Sequence, residues 1–111
     1  MMPLTWEELT DDGGIHDKDN RYTWEDAIAV KIAALNSTSY AEHNDWRLPT
    51  TEELQSVFAS GGNGFISSIY WSSSSLTSFP SDAWSVDFFG GSTHPYHKTL
   101  HIYIRAVRAG I

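Results

Sequence analysis

The chain has 111 residues, no cysteine and a formal net charge of −7, which bounds it to one domain spanning 1–111 and removes disulfide frameworks, thiolate zinc sites and cysteine nucleophiles. The acidic balance, with seven scattered basic residues, disfavours nucleic acid, which is held through counterion release, and disfavours anionic polysaccharide held by bulk attraction. No apolar stretch reaches the ~20 residues of a membrane span, and Met1-Met2-Pro3-Leu4-Thr5-Trp6 lacks a signal-peptide pattern, so the expectation is a chain that acts where it is made or a domain of a longer exported protein.

In chain order, Leu4 to Leu9 reads as a short edge strand holding Trp6. Thr10 to Asn20 is polar, and its Asp-Gly and Gly-Gly pairs mark turns. Thr23 opens a helix, with Asp26 three residues on in a capping pattern. Trp24, Ile28, Ile32 and Leu35 recur at helical spacing and are expected on one buried face. The helix should stop near Asn36. A second helix follows Pro49, capped by Thr50 with Glu53, buried through Leu54, Val57 and Phe58, and ended by Gly61-Gly62-Asn63-Gly64.

The remainder reads as strand. Tyr70 to Ser74 runs into a loop. Trp84, Val86 and Phe88 alternate with Ser85, Asp87 and Phe89, and Gly90-Gly91 makes a turn. Leu100, Ile102 and Ile104 alternate with His101, Tyr103 and Arg105 in a last strand reaching about Val107. Two helices followed by a strand-rich half predict an α+β domain with an antiparallel sheet.

Several residue groups invite chemistry. His94, His97 and His101 have a spacing that metal sites use, although on a strand His94 opposes His97 and His101. Asp11, Asp12, Asp17, Asp19 and Asn20 offer oxygens of the kind calcium takes, without the glycine and closing glutamate of an EF-hand; a solvated turn is the competing reading, and calcium is kept only as a candidate cofactor. Ser72 to Ser75 lack the Gly-x-Ser-x-Gly setting of a nucleophile, and Asp87 with the histidines would be needed to complete a triad. Arg47 has a planar fork suited to an anion, but beside Trp46 it is better read as tying loops to carbonyls or to a carboxylate such as Asp87. Arg105 and Arg108 carry the same two readings. The favoured surface combines small hydroxyls with aromatic and imidazole rings: Ser74, Ser75, Leu76, Phe79, Thr93, His94, Tyr96, His97 and His101. Such residues give contact area at small entropy cost and adaptable hydrogen bonding. Trp24, Trp46, Trp71 and Trp84 are assigned to the core.

Five blocks then carry a resemblance. They are Thr23-Trp24-Glu25-Asp26-Ala27; Asp45-Trp46-Arg47-Leu48-Pro49-Thr50 with Glu52-Glu53-Leu54; Tyr70-Trp71-Ser72-Ser73; Ala83-Trp84-Ser85-Val86-Asp87-Phe88; and Ile104-Arg105-Ala106-Val107-Arg108. In this order they resemble the Lcl-type C-terminal domain of bacterial collagen-like adhesins. The resemblance implies a C-type-lectin-like fold, related to that of the formylglycine-generating enzyme, with two helices on a twisted antiparallel sheet. It also implies that the first and last strands meet, Leu4–Leu9 near Ile102–Arg108. Adhesin members bind glycans at the bacterial cell surface, and some relatives are variable proteins of diversity-generating retroelements. Here Pro3-Leu4-Thr5-Trp6 replaces the family's Gly-Leu-Met-Trp-like start, cysteines are missing, and the acidic charge moves the expected ligand from sulfated polysaccharide to a neutral glycan or a protein. The expected function is a non-enzymatic binding or adhesion module. The alternatives are a self-assembling homo-oligomeric domain and a metal-assisted enzyme using the C-terminal histidines. The formylglycine reaction depends on cysteines that this chain lacks.

Overall fold

The computed structural model describes residues 4–61, 65 and 67–109; the expected helix stop at Gly62, Asn63 and Gly64 lies outside them. The described elements follow in the order β1 (Leu4–Trp6), β2 (Arg21–Tyr22), α1 (residues 24–37), a 3-10 turn (Tyr40–Glu42), α2 (Thr51–Ala59), β3 (Ile69–Ser75), β4 (Asp82–Asp87), β5 (Thr93–His97), β6 (Ile102–Tyr103) and β7 (Val107–Ala109). β1 and β7 pair antiparallel, Leu4 opposite Ala109 and Trp6 opposite Val107. The ends therefore meet as expected, over a shorter stretch. The last strand is also broken in two. Its middle, Ile104 to Ala106, is diverted to the core and to the chain after β1: Ile104 and Ala106 are buried, and the Ala106 carbonyl accepts the Glu7 N–H at 2.9 Å.

The other strands form a sheet in the order β2-β6-β3-β4-β5. It is mixed rather than wholly antiparallel, because β3 runs parallel to β6. A parallel neighbour follows from the topology: after β5, the chain crosses back to the far side of β3 and arrives in β3's own direction. The helices cover opposite faces. Ala27, Ile32 and Leu35 of α1 pack with Trp71, Ala83 and Ile102, whereas Leu54 of α2 packs with Tyr70, Val86 and Phe88. Alternating side chains of β3 and β4 thus feed two clusters, one on each side of the sheet.

α2 begins with the capping box the sequence announces. Thr50 Oγ1 accepts the Glu53 N–H at 3.1 Å, and Glu53 Oε1 accepts the Thr50 N–H at 2.9 Å. Further on, Phe58 lies against the turn at Gly91, where a Cβ would come within 2.6 Å of its ring and φ is +81°. Only glycine fits there.

α1 departs from its expected face. Thr23 caps it as read, accepting the Asp26 N–H at 3.2 Å. Ala27–Ile32 is then π-helical, and Ala33 donates to the Ile28 carbonyl five residues back. A wider turn makes a strict four-residue stripe slip round the axis. Ile28, expected inside, is 42% exposed, while Ala27 and Lys31 are buried.

Lys31 does not enter the core alone. Its Nζ donates to Glu7 Oε2 and to the Ile15 carbonyl. Glu7 Oε2 also meets His16 Nδ1 at 2.6 Å, and Glu7 Oε1 accepts the Ala106 N–H at 3.1 Å. Arg105 Nε donates to the Glu7 carbonyl at 2.6 Å. The Tyr40 ring covers His16 at 4.2 Å between centroids. Burial lowers the pKa of Lys31, against the pull of Glu7. One ion pair therefore joins the chain after β1, the 10–20 loop, α1 and the approach to β7.

Candidate functional site

The site is built by an irregularity in β3. Trp71 pairs with Ser85 and Ser75 with Ala83, so one residue of β4, Trp84, faces the three residues Ser72, Ser73 and Ser74. This is a bulge with two extra residues, a device that bends a strand and re-aims side chains. Serine suits it because a small hydroxyl can satisfy backbone groups that a disrupted ladder leaves open. The Ser72 side chain is fully buried; it donates to the Trp84 carbonyl at 2.7 Å and accepts the Ser74 N–H at 3.2 Å. The Ser72 carbonyl accepts the indole N–H of Trp24 at 2.9 Å. Ser73 N–H reaches the Pro49 carbonyl at 2.8 Å, fastening the bulge to the loop that enters α2.

Trp84 shares its sheet face with Val86, Asp82 and their partners Thr93, Pro95 and His97. Along this face α2 covers Val86 through Leu54. The helix begins at Thr51, and beyond it the face is open. Two depressions lie there, of about 270 and 290 Å³. The first is lined by Thr51, Ser74, Ser75, Trp84 and Thr93, the second by Ser75, Leu76, Thr77, Ser78, Phe79 and Trp84. They share Ser75 and Trp84. Neither is lined by a charged side chain.

Of the residues singled out from sequence, Ser74, Ser75, Leu76, Phe79 and Thr93 come together here. Phe79 is 64% exposed at the rim. His97 faces the same side, opposite Asp82, and donates to or accepts from Thr99 Oγ1 at 2.7 Å. The others do not join. His94 and Tyr96 pair with Ser85 and Ala83 on the opposite face, where Tyr96 packs on the core beneath α1. His101 is exposed outside any strand. Strand alternation thus removes two expected contacts and divides the three histidines between faces.

The residue missed is Trp84. Trp46 and Trp71 are buried as assigned, and Trp24 is half-buried beneath Lys98, whose Nζ lies 4.3 Å from its ring. Each of these indoles donates to a backbone carbonyl: Trp24 to Ser72, Trp46 to Tyr40 and Trp71 to Tyr22, all at 2.9 Å. Trp84 is half-buried, and its N–H finds no acceptor among the described residues. The one sequence signal is the serine run opposite it, which is too polar for an ordinary core strand.

The remaining candidates resolve structurally. Asp11, Asp17 and Asp19 place carboxylate oxygens within 4.8 Å of one another, but they already have partners. Asp17 accepts the N–H groups of Gly13 and Asp19 at 2.6 and 2.8 Å, and Lys18 Nζ stands 3.3 Å from Asp19 and 3.9 Å from Asp11. Asp12 accepts the Gly14 N–H at 3.0 Å, and Asn20 donates to the Gly14 carbonyl at 2.8 Å. Backbone N–H donors hold Asp12 and Asp17 below the usual carboxylate range. These bonds are those of a turn closed by its own aspartates.

Arg47 grips Glu53 with two 2.8 Å bonds, not Asp87; the Asp87 carboxylate instead accepts the Phe89 N–H at 2.8 Å in the following turn. Arg108 binds Asp45 at 2.6 and 3.2 Å. Arginine beside tryptophan is therefore loop-tying here, as the sequence favoured, and the guanidinium groups hold both carboxyls below their ordinary values.

No helix among the described residues is long and apolar enough to cross a membrane. Among curated proteins none matches the chain. The family model of the Lcl C-terminal domain matches residues 2–108, a span that takes in the terminal strand pair, both helices and the bulged strand, and the chain belongs to that family.

Proposed function

We propose that this domain is a non-enzymatic ligand-binding module of C-type-lectin-like fold, of the adhesin kind, that engages a protein or a glycan through the open end of the β3–β4–β5 face. The observation that carries the reading is Trp84: an aromatic ring on a rigid sheet, with hydroxyls on either side and a donor unclaimed among the described residues. Rigid aromatic anchors supply contact area at little entropy cost, and surrounding Ser and Thr supply adaptable hydrogen bonds. The bulge, fixed by Ser72, keeps the ring in place before a ligand arrives. Variation among sister copies, of the kind diversity-generating retroelements produce, is expected in 73–79 and at Thr93 rather than at Tyr96.

A glycan and protein array probed with the protein and with Trp84→Ala tests the reading. Loss of the bound spots in the variant supports it. Spots that survive unchanged would reject this face.

Self-assembly is the second reading. It draws on Ile28 and Val30 of α1, which are 42% and 48% exposed. Sedimentation at several concentrations tests it, and a monomer throughout would refute it.

A further inference from the structure

We infer that the ligand of the Trp84 face is an uncharged saccharide at least two sugar rings long, an inference that rests on the binding-module reading above. Three features of the groove select this chemistry. The first is the ring itself. A pyranose has an apolar face of C–H groups that stacks on an aromatic face, while its edge hydroxyls seek short-range donors and acceptors. Trp84 offers the ring and an N–H that no described residue accepts, and Thr51, Ser74, Ser75 and Thr93 line its depression with hydroxyls.

The second feature is charge. No lysine or arginine lines either depression, and on this face Asp82 stands opposite His97 at the margin. The basic side chains are committed elsewhere: Lys18, Lys31, Arg47 and Arg108 to carboxylates, Lys98 to the Trp24 ring and Arg105 to the Glu7 carbonyl. Arg21 is on β2, at the opposite edge of the sheet from β5. A sulfate or uronate would enter an acidic protein with no cation to meet it, and would lose its water uncompensated.

The third feature is extent. Two depressions of similar volume share Ser75 and Trp84, and the exposed Phe79 ring lines the second. One ring stacks at Trp84 and a linked ring reaches Phe79.

The test uses the whole domain and follows tryptophan fluorescence during titration with cello-, malto-, manno- and N-acetylchito-tetraose, and with heparin and polygalacturonate as anionic probes. At least one neutral tetraose is expected to bind, with little change in affinity on raising the salt, and the anionic polymers are expected not to bind. Trp84→Ala and Ser75→Trp should each weaken binding at least about tenfold. The second variant fills both depressions while keeping the Trp84 ring, so it separates loss of the site from loss of the fold, which circular dichroism checks in parallel.

Neutral binding indifferent to both variants would overturn the assignment to this groove. Binding of heparin or polygalacturonate alone, dependent on Trp84, would overturn the uncharged class while leaving a module that binds at this face. No binding by any saccharide would overturn the inference; the module reading then stands or falls separately, on whether an arrayed protein is held in a Trp84-dependent way.

Discussion

Replacing Lys31 with methionine should be the most damaging single change to this domain outside its hydrophobic clusters. Lys31 and Glu7 side chains are 1% and 0% exposed, so the variant strands a carboxylate that water cannot reach. Glu7 would keep the Ala106 N–H at one oxygen and His16 at the other, but would lose the ammonium. Breaking a buried pair by removing one partner costs about 3–5 kcal/mol. The donors that remain to Glu7 place the expected loss at about 3 kcal/mol. For a chain of this size that is a fall in Tm of roughly 10–20 °C.

The double variant Glu7→Gln/Lys31→Met removes both charges and leaves an amide able to accept from Ala106. It should recover more than half of the loss, since an apolar replacement of a buried pair is often neutral. Urea unfolding followed by tryptophan fluorescence measures both, with an unchanged m-value confirming comparable end states. A single-variant loss below about 1 kcal/mol, or a double variant equal to the sum of the two singles, would refute the idea of a desolvated, coupled pair.

Other consequences are smaller and equally specific. Thr50→Ala removes one arm of the capping box and should cost about 1 kcal/mol in the same unfolding assay. Gly91→Ala meets the Phe58 ring at 2.6 Å with φ at +81°, and a loss of about 1–3 kcal/mol is expected; an unchanged midpoint would mean the turn relaxes freely. The carboxyls of Glu53 and Asp45, paired with arginine, and of Asp12 and Asp17, bonded to backbone N–H, all sit below their ordinary range in the folded state. The unfolded chain therefore binds more protons on acidification, so their contribution is whole above the normal carboxylate range and is lost as pH falls through their lowered values. Melting from about pH 7 to about pH 3 should show this decline, with Glu53→Gln flattening it. Added calcium should leave Tm unmoved, because Lys18 and backbone donors already serve the acidic loop; a saturable upward shift would contradict that.

What the sequence made legible was whatever depends on local chemistry. Both N-caps, the turn at Gly90-Gly91 and the buried Trp46 and Trp71 are each dictated by residues close in the chain. The meeting of the terminal strands came from the resemblance of five blocks. Three features were hidden. The π-helical stretch of α1 carries Lys31 inward to a glutamate 24 residues upstream, and a helical wheel cannot register that. The parallel contact of β3 with β6 depends on which way the chain crosses after β5. Trp84 sits in a strict hydrophobic alternation with Val86 and Phe88, so its pattern is that of a core residue. It is open because α2 begins only at its edge, with Thr51, and because β3 bulges opposite it, both facts of packing. Tyr96 and His94 erred in the opposite sense: polar and aromatic composition marked them as surface, and the pleat turned them under the sheet.

The bulge also sets how this domain tolerates change in length. The ladder leaves register at Trp71–Ser85 and regains it at Ser75–Ala83, so the excess of β3 over β4 is confined between two fixed rungs. An insertion or deletion beside Ser74 would fall between those rungs and would be tolerated where the Ser73 bond to the Pro49 carbonyl, which ties the bulge to the entry of α2, is kept. Altered loop length there would deepen or close the space beside Trp84 while the framework folds as before. The face proposed to bind could therefore be resized as well as recoloured by substitution.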